Sequence, residues 1–152
     1  MALTADDIVA IQQLVALHGH LVDARELHRL DELFAPDAVY DVTAMGQGTI
    51  RGVPEFRAVA EAFADDERNP VGHHVTNVVV TEGVDGTAHV RSKGIGVLRD
   101  GRAGSVVYVD RVARTDDGWR IAARQVLPST GHRTAEPPAH PHPDRESRSA
   151  GR

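Results

Sequence analysis

Apolar positions in the first thirty residues recur at intervals of three and four. Ile8, Ile11, Leu14, Val15, Leu21 and Val22 fall on one stripe of a helix running from Thr4 to His28. Thr4 suits the N-cap, and Asp6 and Asp7 suit the positive end of the helix dipole. A second short helix, from Glu26 to Phe34, should stop at Ala35-Pro36-Asp37, because the residue before a proline disfavours the helical region. Val39 to Thr43 reads as a short strand and Met45-Gly46-Gln47-Gly48 as a turn. Pro54 then opens a third helix through about Ala64.

From His73 onward the period changes to two and β-branched residues dominate. Four strands are predicted, His74 to Thr81, Thr87 to Leu98, Ala103 to Arg114 and Trp119 to Leu127, divided by turns at Asp85-Gly86, Asp100-Gly101 and Asp117-Gly118. Helices followed by an antiparallel meander predict an α+β domain, residues 1–130, with helices covering one face of a curved sheet. The stretch from Gly131 to Arg152 is rich in Pro, Arg, Ser and His and poor in large apolar residues, so a disordered tail is expected there.

Composition narrows the chemistry. The 152 residues fit a single domain, 41% are hydrophobic and 26% charged, and no apolar run approaches the roughly 20 residues of a spanning helix. A start without a basic n-region leads to the expectation of a cytoplasmic protein. With no cysteine, chemistry must use His, Asp, Glu and Tyr. A net charge of −5, a single lysine (Lys93) and no arginine-dense stripe argue against a nucleic-acid surface. Nine histidines are present, but His18, His20, Asp23 and His28 do not set three ligands on one helix face, so no metal site is expected. Phosphate loops and a Ser-His-Asp nucleophile pattern are absent too.

Several side chains remain as candidates. His18 lies in the apolar stripe of the first helix, as either a satisfied core histidine or a substrate contact, and Val22 shares its face. Tyr108 and Asp110 stand two apart on one strand and therefore share a face. There Asp110 is a candidate base or the ion-pair partner of a strand arginine such as Arg91 or Arg124. Tyr40 can line a pocket from the short strand, and Trp119 reads as a core anchor.

Three stretches, Asp23 to Val39, His74-Val-Thr-Asn77 and Tyr108 to Ile121 with its Gly118-Trp119, resemble the SnoaL-like group of the nuclear-transport-factor-2-like superfamily. With the long first helix and the final meander, the resemblance spans roughly residues 5–128. It implies a cone-shaped sheet whose mouth is covered by the first helix, around a mostly apolar pocket. The group includes polyketide cyclases and enzymes like scytalone dehydratase and ketosteroid isomerase. In scytalone dehydratase a late first-helix aspartate and a histidine opening the first long strand are catalytic, positions that look like Asp23 and His74. Such a carboxylate fixes the imidazole tautomer and leaves the other ring nitrogen to move a proton. His73 would then point to the opposite face of a regular strand. Three departures stand out: His18 and His20 replace aromatic residues of the group, Glu26 stands where many members carry an aspartate, and Arg91 to Leu98 holds no second catalytic histidine.

The resulting expectation is an acid–base lyase, isomerase or cyclase without a cofactor, acting on a small cyclic or polyketide-like molecule. Its catalytic set is Asp23, His74 and Asp110, with His18, Val22, Tyr40 and Tyr108 binding substrate. The alternatives are a small-molecule binding module and an epoxide-hydrolase-like enzyme centred on Asp110. A homodimer is expected as well, because Val78, Val79 and Val80 cannot all be buried by simple alternation.

Overall fold

A computed structural model describes residues 2–129; the predicted tail lies outside the described residues. Helix α1 (Ala5–Asp23) opens with a reciprocal cap, in which the Thr4 hydroxyl accepts the Asp7 N–H and the Asp7 carboxylate accepts the Thr4 N–H, each at 3.1 Å. The same carboxylate accepts the Trp119 indole N–H at 3.1 Å and pairs with Arg114. Capping thus also ties the helix start to the sheet, and Trp119 is the buried anchor expected from its place after Gly118.

The helix covers its hydrophobic stripe through Val22 but ends five residues before the expected His28. Arg25 adopts φ 56°, a left-handed conformation that ends the helix just after Asp23. A 3-10 helix (Leu27–Glu32) follows, then strand β1 (Phe34–Asp41), the short strand β2 (Thr49–Arg51) and helix α2 (Gly52–Phe63). The meander is β3 (Gly72–Glu82), β4 (Ala88–Val97), β5 (Ala103–Thr115) and β6 (Gly118–Pro128).

The six strands form one open sheet in the order β2-β1-β6-β5-β4-β3. It is mixed rather than wholly antiparallel, since β6 runs parallel to β1. No hairpin joins those two strands, so nothing forces them antiparallel; α2 and three hairpins separate them in the chain. Helix α1 lays Ile11, Val15 and Leu21 against Leu30, Leu33, Val90, Val112 and Ile121, all fully buried. Each such aliphatic side chain stabilises the fold by roughly 1.5–3 kcal/mol, which fixes the helix over the inner face of the sheet.

Two details set the inner face. A bulge interrupts β3 between Thr76 and Val79, where Asn77 takes φ 53°. Val75 therefore faces the core together with Val78 and Val80, although these residues are out of phase in a regular strand. Where α1 crosses the start of β3, Gly19 lies so close that an added Cβ would stand 2.1 Å from the His73 carbonyl oxygen. Only glycine fits there.

Beneath the helix, Asp110 and Arg124 face each other across β5 and β6. Two parallel 2.7 Å hydrogen bonds join Arg124 Nε and Nη2 to the carboxylate, with both side chains fully buried. Such a pair costs much to desolvate, but breaking it costs more. Arg124→Met should lower stability by about 3–5 kcal/mol, and the apolar double variant Asp110→Leu/Arg124→Met should recover most of that loss in urea unfolding. Equal losses in the single and double variants would show that the charge left behind is not the cause.

Gly19→Ala should also destabilise, by about 1–3 kcal/mol of overpacking. Alanine is otherwise favoured over glycine inside a helix by about 1 kcal/mol, so a rise in melting temperature would contradict the close approach.

Candidate active site

Between α1, α2 and the inner face of the sheet lies a cavity of about 290 Å³. His18 and Val22 reach it from α1, Tyr40 from β1, His73 from β3 and Tyr108 from β5. Phe56, Ala60 and Phe63 of α2 form an apolar wall, and Gln47, Arg68 and Asn69 add polar groups from the loops. Phe56 packs 4.9 Å from both Tyr40 and Phe34, measured between ring centroids.

All four residues expected to bind substrate therefore line one cavity. The expected catalytic trio does not assemble. Asp23, at the end of α1, meets His73 rather than His74: its carboxylate lies 2.7 Å from His73 Nδ1 and accepts the His73 backbone N–H at 2.9 Å. His74 points the other way and lines a separate groove of about 220 Å³ with His20 and Asp23. The resemblance selected His74, but the bulge at Asn77 shifts the phase of β3, so that His73 and Val75 share the inner face with the partly buried Val78 and Val80.

Asp110 is the other correction. It is 1% exposed, both carboxylate oxygens are held by Arg124, and it does not line the cavity. The ion-pair alternative for this residue is the one the structure adopts, with Arg124 as partner. Among the described residues no group of three or more His, Asp or Glu side chains could hold a metal, and no helix is long and apolar enough to cross a membrane.

The electrostatics differ sharply between neighbouring groups. A carboxylate can only accept, so the Asp23 contact places a proton on His73 Nδ1 and leaves the lone pair on Nε2. His18 is 3% exposed, and its Nδ1 is enclosed without a hydrogen-bond partner among the described residues. Burial, then the charge of Arg124 and then that of His73, hold the His18 imidazole well below the ordinary histidine range. Its ring meets His73 and Tyr108 edge-on, with centroids 6.0 and 5.9 Å away.

Burial also pushes the Tyr40 and Tyr108 hydroxyls above the usual phenol range, so both remain protonated donors. Tyr108 is held between two constraints. Its ring lies under the Arg124 guanidinium at 4.4 Å, and it occupies the space over Gly94, where an added Cβ would come within 2.5 Å.

His73 and the α2 wall were missed by the sequence reading for different reasons. The apolar spacing of Phe56, Val59, Ala60 and Phe63 marks a helix face and could have been assigned to the pocket. No residue type announces the bulge, because Asn77 stands inside an otherwise regular β-branched run.

Similarity to known proteins agrees with this architecture. A protein from Novosphingobium aromaticivorans, provisionally described as an aromatic ring hydroxylase, is 28% identical with a TM-score of 0.70, over 85% of this chain and 93% of that one. An NTF2-like protein with a cystatin-like fold from the same organism is 27% identical with a TM-score of 0.67, over 86% of each chain. A third structure from that organism, provisionally described as a scytalone dehydratase, shares the fold at 21% identity and a TM-score of 0.63, over 81% of this chain and 87% of that one. A search of curated proteins found no match. A family profile described as a SnoaL-like domain matches residues 3–125, and the chain accordingly belongs to the SnoaL-like family.

Proposed function

We propose that this chain is an acid–base enzyme that moves a proton beside a carbonyl of a small cyclic or polyketide-like molecule, as a lyase, isomerase or cyclase without a cofactor. The observation that carries the reading is the Asp23 carboxylate seated on both Nδ1 and the backbone N–H of His73, at the wall of an apolar cavity. Orienting an imidazole in this way prepares Nε2 to take a proton, and the carboxylate balances the cation that results. Aromatic and aliphatic walls suit a flat substrate, while Tyr40 and Tyr108 offer hydroxyl donors. The name of the 28% identical relative points to an aromatic ring as substrate, which suits a cavity walled by Phe56 and Tyr40.

Turnover of cyclic ketones and hydroxyketones tests this reading. His73→Ala and Asp23→Asn should each slow the reaction at least ~100-fold, the lower range of general acid–base catalysis. The double variant should be scarcely worse than the poorer single one, because the two residues act as one unit. His74→Ala should stay close to the unmodified protein. Full activity in His73→Ala would sink the proposal, and binding of such ketones without any turnover would favour a binding module.

We also propose that the protein is a homodimer through the outer face of the sheet. Exposed Val79 and Val109 flank Arg91 in register across β3, β4 and β5, and Ile95 is exposed farther along β4. Light scattering at micromolar concentration should give twice the chain mass. A monomer mass would remove the claim.

A further inference from the structure

The proton-transfer reading uses one histidine and leaves the more deeply buried one without a role. His18 is also the one polar side chain of α1 set in the cavity wall with an enclosed, unpartnered ring nitrogen. A nitrogen sealed from solvent tolerates an unused lone pair better than an unused N–H, because an orphaned donor is the rarer and costlier defect. Nδ1 is that sealed atom, so the proton belongs on Nε2, the ring nitrogen that can meet a ligand.

His73 carries the opposite tautomer, imposed by Asp23. Two imidazoles whose centroids are 6.0 Å apart thus line the same cavity, one with a lone pair on Nε2 and the other with an N–H. That spacing suits a carbonyl compound whose oxygen meets one ring while its neighbouring C–H meets the other.

We propose that His18 is the electrophilic donor of the site: its neutral imidazole donates Nε2–H to the substrate carbonyl oxygen and stabilises the enolate that forms when His73 removes the adjacent proton. The substrate class is a cyclic ketone with an acidic α-hydrogen. The step balances without any co-reactant. The α C–H bond breaks, its proton goes to His73 Nε2, its electron pair becomes the C=C bond of the enolate, and the carbonyl π pair moves onto the oxygen held by His18. In a β,γ-unsaturated ketone, return of the same proton from His73 to the γ-carbon of the dienolate completes an isomerisation. In a β-hydroxyketone, its delivery to the departing hydroxyl, which leaves as water while the enolate electron pair forms the α,β double bond, completes a dehydration.

A neutral imidazole suits this task because its N–H strengthens toward the developing charge without being lost to it. Burial and the positive charge of Arg124 keep His18 neutral. The groups facing its ring are His73 from β3, Tyr108 from β5 and Arg124 from β6. Among the described residues no free carboxylate faces it to favour the cation, since the Asp110 oxygens are taken by Arg124.

The inference rests on the proton-transfer reading, but its test separates the two. In the full chain, nitrogen-15 spectra assigned through backbone correlations should show His18 as the neutral Nε2–H tautomer from about pH 5 to 8, the range in which an ordinary histidine titrates. A Nδ1–H tautomer, or titration in that range, would overturn the proposal even if no variant folded.

The second measurement uses 4-nitrophenol, whose phenolate oxygen stands in for the enolate and which offers no carbon-bound proton for His73 to remove. At about pH 8, where the probe is ionised, His18→Leu should weaken phenolate binding at least about tenfold, the loss of one hydrogen bond to a charged oxygen. His18→Gln, which keeps a neutral N–H donor, should stay within about threefold of the unmodified protein. No phenolate binding by the unmodified protein at millimolar concentration, or equal binding by His18→Leu, would overturn the donor role. Loss of the His73 turnover effect with the phenolate pattern intact would instead remove the base and leave the donor standing.

Discussion

Helix α1 can lie against the start of β3 only because Gly19 has no side chain. The His73 carbonyl fills the position where a Cβ would be, 2.1 Å from its ideal place. One turn later on the same helix face stands Asp23, and it meets the other polar edge of His73, the backbone N–H, together with the ring. One residue of the strand is thus gripped at its carbonyl by close packing and at its amide by a carboxylate. The imidazole orientation follows from that grip. A larger residue at position 19 would push the helix away and lengthen both Asp23 contacts, so a packing constraint and a hydrogen-bond geometry are here the same constraint.

Charge is arranged with similar economy below the cavity. Arg124 brings a full positive charge into the core, and Asp110 neutralises it through two hydrogen bonds. Arg124 Nη1 keeps no partner among the described residues, and the guanidinium face lies against Tyr108. The net effect is a rigid polarised floor. It holds the Tyr108 ring in place and disfavours a second cation at His18, while Asp110 itself has no free oxygen to act as a base.

The helices and the meander were legible in the sequence because each rests on local periodicity, which buried positions such as Ile11, Val15, Val90 and Val112 express directly. The four cavity-lining residues expected to bind substrate were legible for the same reason. What failed depended on a single backbone conformation or on distant pairing. Asn77 at φ 53° inverts the phase of β3, so the face of His73 and His74 cannot be read by alternation. Arg25 at φ 56° ends α1 without a glycine or proline to signal it. Parallel pairing of β1 with β6 joins residues more than eighty positions apart, such as Asp41 and Gln125, and no hairpin turn encodes it. Asp110 showed the limit of composition: a carboxylate facing inward is equally a base or half of an ion pair until its partner is known.

Two histidines of identical intrinsic chemistry share this cavity, and their surroundings decide which could accept a proton. An imidazolium formed on His18 would be enclosed and opposed by the charge of Arg124, with no free carboxylate facing it among the described residues. An imidazolium formed on His73 would sit 2.7 Å from a carboxylate oxygen and keep partial contact with solvent, its side chain being 16% exposed. Desolvation beside a like charge opposes the cation on His18. The helix that delivers Asp23 to one imidazole withholds any such partner from the other, although His18 and Asp23 lie only five residues apart. A difference of that kind cannot come from residue type. It comes from where α1 ends, since stopping at Asp23 leaves this carboxylate at the edge of the sheet while His18 stays covered one turn and a half earlier.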